Sequence, residues 1–336
     1  MKKLDIKDTV WSFSKLNAYT TCPYQWYNTY VNRAERLQNA FSQYGTLVHE
    51  VLENYAIDRK SGKNNIELWE LCSMLEEDYD NRVTEDFPYN KYKDLAEDYK
   101  AKANLYFEDI AESDLIQKIE NKQFAIVGVE LEFIFDIPDG DTSHKCKGFI
   151  DLVVRDKADG RLIIIDHKSK AIKRLKSGKP VAKDVEDALR QMSMYAMAIH
   201  QQFDEYPKEI WINAFRVKDI IKEPFDISRG EESLTWAVNI IHRLSQDDKF
   251  YKIHKIDEDR RGFAINQADD ELYSKGSSFF CLNLCNNRQS CGAKLDFNKE
   301  DIFGEEPRSM EEYLADKEMI DGELVKIFSL DDEEFE

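Results

Sequence analysis

The sequence predicts an α/β fold, a mixed sheet flanked by helices, and three observations predict it. Residues 146–166 read as two apolar strands around a tight turn. Further strand patterns occur at 124–135 and 209–217, and the stretches around them carry helical periodicity. Helices and strands are therefore interspersed along the chain, as in a sheet covered by helices.

The elements follow in order. Residues 12–33, SFSKLNAYTTCPYQWYNTYVNR, predict a short helix, a break at Thr21-Cys22 and a second helix from Pro23. Proline suits a first helical turn, where its missing N–H would be unpaired in any case. Cys22 then occupies a helix N-terminus, where the dipole favours its thiolate. Residues 42–60 predict an amphipathic helix carrying Gly45 and His49 one turn apart. Residues 61–122 are expected as a helical insertion covering or flanking a site, because 65–120 is rich in Glu, Lys, Leu and Tyr at helical spacing. The strand at 124–135, FAIVGVELEFIF, contains Glu130.

The chain is organised around CKGFIDLVVRDKADGRLIIIDHK, residues 146–168. Its first strand carries Asp151, and Asp159-Gly160 supplies the turn. The second, Leu162 to Ile165, is a continuous apolar run, as in a strand buried on both faces. It ends in Asp166-His167-Lys168, where acid and amine are two residues apart and share a side. Two carboxylates and a lysine at the end of a buried hairpin are costly to place unless they bind something, and a divalent cation suits them. From Lys168 to Lys183 there are seven bases and no acid. Residues 185–203 predict a helix with Gln191 and Tyr195 on one face, 209–217 a strand and 231–246 a helix.

The net charge of −19 is unevenly spread. From Glu300 onward fifteen acids face three bases, which is −12 of the total and leaves about −7 for the body. The overall charge therefore does not exclude a nucleic-acid partner. Ser309-Met-Glu-Glu312 is a capping-box start, and the closing DDEEFE reads as a disordered tail. No apolar run of membrane-spanning length or signal-peptide pattern occurs, so a soluble cytoplasmic protein with no membrane association is expected.

Of six cysteines, Cys281, Cys285 and Cys291 lie within eleven residues. In a reducing compartment, clustered thiols more often bind metal than pair. Cys72 and Cys146 are expected as small apolar core residues.

Gly45-Thr-Leu-Val-His49, Gly148-Phe-Ile-Asp151, Asp166-His-Lys168 and Gln191-xxx-Tyr195 stand in the order found in RecB-like nucleases of the PD-(D/E)XK superfamily, which the chain resembles over residues 12–292. Cys22-Pro23 with the downstream trio resembles the iron–sulfur branch, which includes the AddB nuclease domain, Cas4 and Dna2. The trio is spaced Cys-x3-Cys-x5-Cys, whereas the branch usually has two residues in the first interval. The resemblance implies a restriction-endonuclease-like core over residues 1–299, with an acidic helix and tail at 300–336. It implies a staple of Cys22, Cys281, Cys285 and Cys291 around a [4Fe–4S] cluster, with zinc as the runner-up. It makes His49, Asp151, Asp166 and the His167 carbonyl ligands of Mg²⁺ or Mn²⁺. Lys168 becomes catalytic base or electrostatic stabiliser, Gln191 and Tyr195 position the substrate or the lysine, and Glu130 is either metal-adjacent or a plain solvent-facing residue.

The function implied is a metal-dependent deoxyribonuclease, an exonuclease on single-stranded DNA ends in recombination, repair or phage DNA metabolism, in a bacterial or phage-encoded intracellular setting. The alternatives are a Cas4-like end-processing factor in CRISPR adaptation and a non-catalytic DNA-binding subunit of the same fold. The basic run at 168–183 would contact the DNA backbone, and the acidic tail would compete for it or recruit a protein partner.

Overall fold

The computed structural model describes residues 9–90, 93–246 and 283–288, with the backbone of two short strands at 319–320 and 323–326. The chain opens with α1 (Phe13–Thr21) and α2 (Pro23–Tyr30), which meet at Cys22 as the sequence predicts. The Cys22 Sγ caps α2 by accepting the Gln25 N–H at 3.5 Å. Helix α3 (Ala40–Ser61) starts in a capping box between Asn39 and Ser42 and stops at Gly62, whose φ of 70° only glycine adopts cheaply. Then follow α4 (Glu70–Arg82), α5 (Leu95–Glu108), a short 3₁₀ turn and α6 (Asp114–Glu120).

The sheet strands are β1 (Phe124–Asp139), β2 (Thr142–Asp156), β3 (Leu162–His167), β5 (Glu209–Ala214) and β6 (Asp219–Pro224), in spatial order β1-β2-β3-β5-β6. Only β3 and β5 run parallel, and α7 (Ala182–Phe203) supplies the crossover such a pair needs. Helix α8 (Ile227–Gln246) closes the body. The expected mixed α/β architecture is therefore present. The edge strand β6 is not anticipated from sequence, because DIIKEP is short and half charged. The strand expected to reach 217 ends at Ala214 and gives way to a 3₁₀ turn.

Two apolar layers sandwich the sheet. One face packs against α1, α2, α7 and α8, the other against α3 to α6. Strand β3 is buried at every position, as its continuous apolar run predicts. Residues 61–122 supply much of the second layer over the sheet.

Strands β1 and β2 invert their alternation partway. Val129 packs with the α3–α6 layer and Leu131 with the opposite one, although a regular strand shows both on one face. Likewise Leu152 and Val154 face the α3–α6 layer and Ile150 the other. The inversion falls at Glu130, which has φ of 42°, in the left-handed region that non-glycine residues seldom adopt. Val129 pairs with Leu152 and Leu131 with Ile150, which sets Glu130 opposite Asp151.

A second, small sheet joins the basic loop to the C-terminal region. The two-residue strand β4 (Arg174–Leu175) pairs antiparallel with β8 (Glu323–Lys326), which pairs with β7 (Met319–Ile320).

Candidate active site

Helix α3, the switch point of β1 and β2, the end of β3 and the middle of α7 converge on one polar site. The His49 Nδ1 lies 3.5 Å from the Asp151 Oδ2. His49, Glu130 and Asp151 each place a potential ligand atom within 4.8 Å of the others. Asp166 stands outside that tight group and turns toward Lys168, whose Nζ is 2.8 Å from its Oδ2 and donates a hydrogen bond to its Oδ1 at 3.0 Å. The same ammonium donates to the Gln191 Oε1 at 3.3 Å, and the Gln191 Nε2 donates to the Tyr195 hydroxyl at 3.2 Å. All seven side chains singled out from sequence thus fall in one neighbourhood.

The local structure explains how they get there. In β3, Asp166 and Lys168 point to the α7 side, where Gln191 waits, and His167 points to the α3 side, where its ring meets the His49 ring edge-on at 5.7 Å. The His167 backbone N–H donates to the Asp151 Oδ2 at 2.6 Å, which fixes the strand against the acid. Asn213, beside His167 in the parallel ladder, has its Nδ2 2.9 Å from both the His167 Nδ1 and the Tyr106 hydroxyl oxygen. An amide donating to the ring keeps Nδ1 as the acceptor, so the Nε2 carries the proton.

Charge is crowded here, and burial decides the titrations. Burial, then the neighbouring Asp151, Glu53 and Asp166, push the Glu130 carboxyl up from 4.5 to about 7. The Asp166 carboxyl is also raised, chiefly by burial, with Lys168 opposing the rise. Burial pulls on the Lys168 ammonium, but the Asp166 carboxylate outweighs it and holds the amine above its usual range. Burial and the charge of His49 take His167 down to about 3, so its imidazole is neutral.

The donor set suits a divalent cation. The Asp166 Oδ2 is buried and accepts no hydrogen bond despite its short contact with Lys168. A buried carboxylate oxygen with a free lone pair, near two further carboxylates and an imidazole, is an arrangement a cation satisfies.

Sequence reasoning passes over Glu53, Asn213 and Tyr106. Glu53 follows His49 by four residues, so the helical i, i+4 spacing was the available signal. Nothing local marks Asn213 or Tyr106, which act through a ladder and a packing contact.

At the N-terminal helices, Cys22 and Cys285 are both buried, while Cys281 and Cys291 lie outside the described residues. Residues 283–288 dock on the segment after α2. The Asn39 Nδ2 donates to the Leu284 carbonyl at 3.3 Å, and the Leu37 N–H donates to the Asn286 carbonyl at 3.0 Å. The Thr29 hydroxyl donates to the Asn287 Oδ1 at 3.1 Å. Cys146 is fully buried, as expected, and burial pushes its thiol up to about 12. Cys72 is only half-buried.

Residues 10–292 match the family model described as the PD-(D/E)XK nuclease superfamily. Among solved structures, that of a candidate exonuclease from Eubacterium rectale is 13% identical, with 70% of this chain and 81% of the other covered and a TM-score of 0.41. The crystal structure of SSO0001 is 18% identical, with 59% and 78% covered and a TM-score of 0.27. No curated protein matches the chain significantly. Among the described residues, no helix is long and apolar enough to cross a membrane.

Proposed function

Because the chain belongs to the PD-(D/E)XK nuclease superfamily, we propose that this site hydrolyses DNA phosphodiesters with the help of Mg²⁺ or Mn²⁺, as an exonuclease on single-stranded ends. The observation that carries the reading is the meeting of His49, Glu130 and Asp151 beside the Asp166–Lys168 pair.

Asp151, Asp166, Glu130, His49 and the His167 carbonyl would hold the cation. When bound, it supplies an acidified water and neutralises charge at the phosphorus. The oxygen-rich set favours Mg²⁺ or Mn²⁺, and the imidazole tilts the choice toward Mn²⁺. Lys168, whose ammonium lies 2.8 Å from the Asp166 carboxylate, would stabilise the charge that develops on the phosphate or serve as the catalytic base. Gln191, held by Tyr195, fixes the lysine's direction. Asp151 orients the end of β3 through the His167 N–H.

Four thiolates from Cys22, Cys281, Cys285 and Cys291 would hold a [4Fe–4S] cluster that staples the two ends of the body. Burial of Cys22 and Cys285 and the docking of 283–288 beside α2 support that reading. Zinc remains its rival, and an anaerobic preparation that is colourless and zinc-loaded decides for zinc. The acidic C-terminal segment, paired through β8 to the basic loop at β4, competes there with DNA.

End-labelled linear and internally labelled circular single-stranded DNA, each with Mn²⁺ or with chelator, test the function. Release of nucleotides from linear DNA with Mn²⁺ alone is expected. Equal cleavage of circles removes the exonuclease assignment, and no cleavage with Mn²⁺ favours a binding subunit.

A further inference from the structure

At the far end of the β1–β2 hairpin a second constellation forms that the nuclease reading does not use. Asp139 closes β1, and the hairpin turns through Gly140-Asp141 to Thr142, its register partner. Gly140 has φ of 57°, which the tight turn requires. The Thr142 hydroxyl donates to the Asp139 carbonyl at 2.9 Å and firms the turn. His144 pairs with Ile137, so it lies diagonal to Asp139 and reaches the same face. His242, four residues before the end of α8, comes in from a separate element.

Both imidazoles aim Nε2 at one oxygen. The His144 Nε2 lies 2.9 Å and the His242 Nε2 2.7 Å from the Asp139 Oδ2, and the three ligand atoms fall within 4.8 Å of one another. Only six histidines occur in 336 residues, and two from distant positions converge here. Treated as hydrogen bonds, the contacts need both rings to carry their proton on Nε2. Treated as ligands, they give two nitrogens and one oxygen around one point.

We propose that Asp139, His144 and His242 bind a zinc-class divalent transition ion and pin the end of α8 to the hairpin tip. Zinc bonds of about 2.0–2.2 Å in a tetrahedron set ligand atoms roughly 3.4 Å apart, so the ion enters by parting these atoms about half an ångström. The fourth position is left to water or to the second carboxylate oxygen. Two imidazoles make the site softer than the oxygen-rich nuclease centre, and the two select different metals. Seven residues of extended strand separate His144 from Asp151, roughly 23 Å, so the ion is structural and takes no part in cleavage.

The test compares full-length protein with the His242→Ala and Asp139→Asn variants by zinc titration, elemental analysis and thermal unfolding. His242 is half exposed at a helix end, so its removal leaves the metal-free fold intact, which coincident unfolding curves in chelator verify. Wild-type protein should bind one more zinc than either variant. Zinc at about a hundredfold excess over Kd should raise its Tm by about 4 °C, and that rise should vanish in the variants. An Asp166→Asn variant should keep both effects, which separates this ion from any at the nuclease centre. Equal stoichiometry and equal thermal shifts in wild type and His242→Ala overturn the proposal.

Discussion

Glu130 faces Asp151 across the β1–β2 ladder, where both strands exchange the layer to which they present their apolar side chains. Holding a non-glycine residue at φ of 42° costs on the order of 1–2 kcal/mol, and the position sets an acid between two cores instead of inside one. The strain and the like-charge crowding sit at the same residue.

Glu130→Gln should therefore reduce cleavage while stabilising the metal-free protein at neutral pH. The folded carboxyl titrates near about 7 against an ordinary 4.5, so the folded state holds the proton more tightly. Stability from this group is fully present below about pH 4.5, declines through the interval and is lost above about pH 7. For a half-exposed carboxyl, solvent screening leaves roughly 1–2 kcal/mol of that loss. Chemical denaturation in chelator at pH 5 and pH 8 measures it. The wild type should lose more between the two than the variant, and parallel losses contradict the assignment.

Lys168→Met should lower kcat by about a hundredfold or more with little change in DNA affinity, as expected when a transition-state stabiliser is lost. It also strips Asp166 of its cation and destabilises the metal-free fold by about 3 kcal/mol. The double variant with Asp166→Asn should recover most of that stability and none of the activity. Single-turnover rates and urea midpoints read the two effects apart.

The parts of this site legible in sequence are those carried by short spacings. Asp166 and Lys168 two apart in a strand, Gln191 and Tyr195 four apart in a helix, and Asp151 inside an apolar run each announce a shared face. His49 gives no such local signal, and the order of motifs rather than any periodicity points to it. The switch of faces at Glu130 is invisible because FAIVGVELEFIF alternates acceptably in either phase, and only the two packed layers reveal the inversion. Strand β6 eluded the pattern because an edge strand needs little apolar content once β5 supplies its ladder.

Gly148 shows why the first hairpin strand has glycine three residues before its acid. A Cβ there would lie 2.5 Å from the Phe133 Cζ and 2.9 Å from the Tyr195 Cζ, both on rings in the core. Gly148→Ala should cost about 1–3 kcal/mol through overpacking and push Tyr195 away from Gln191. Loss of activity beyond the loss of folded protein, measured after correction for active fraction, tests the second effect.

Asn213 supports the site from beneath. Its side-chain amide serves the Tyr106 hydroxyl and the His167 Nδ1, and its carbonyl accepts the Lys168 N–H at 2.8 Å. Asn213→Leu keeps the branched outline and the carbonyl but leaves two buried polar atoms without their partner, which costs about 2–3 kcal/mol. The neutral His167 ring would then lose the contact that fixes its tautomer and its plane against His49. Because the His167 N–H holds Asp151 at 2.6 Å, rotation there loosens the carboxylate as well. The variant should consequently need more Mn²⁺ for half-maximal cleavage, by about tenfold, while its rate at saturating metal falls less. A metal requirement equal to that of the wild type, with stability reduced as stated, would confine Asn213 to the core.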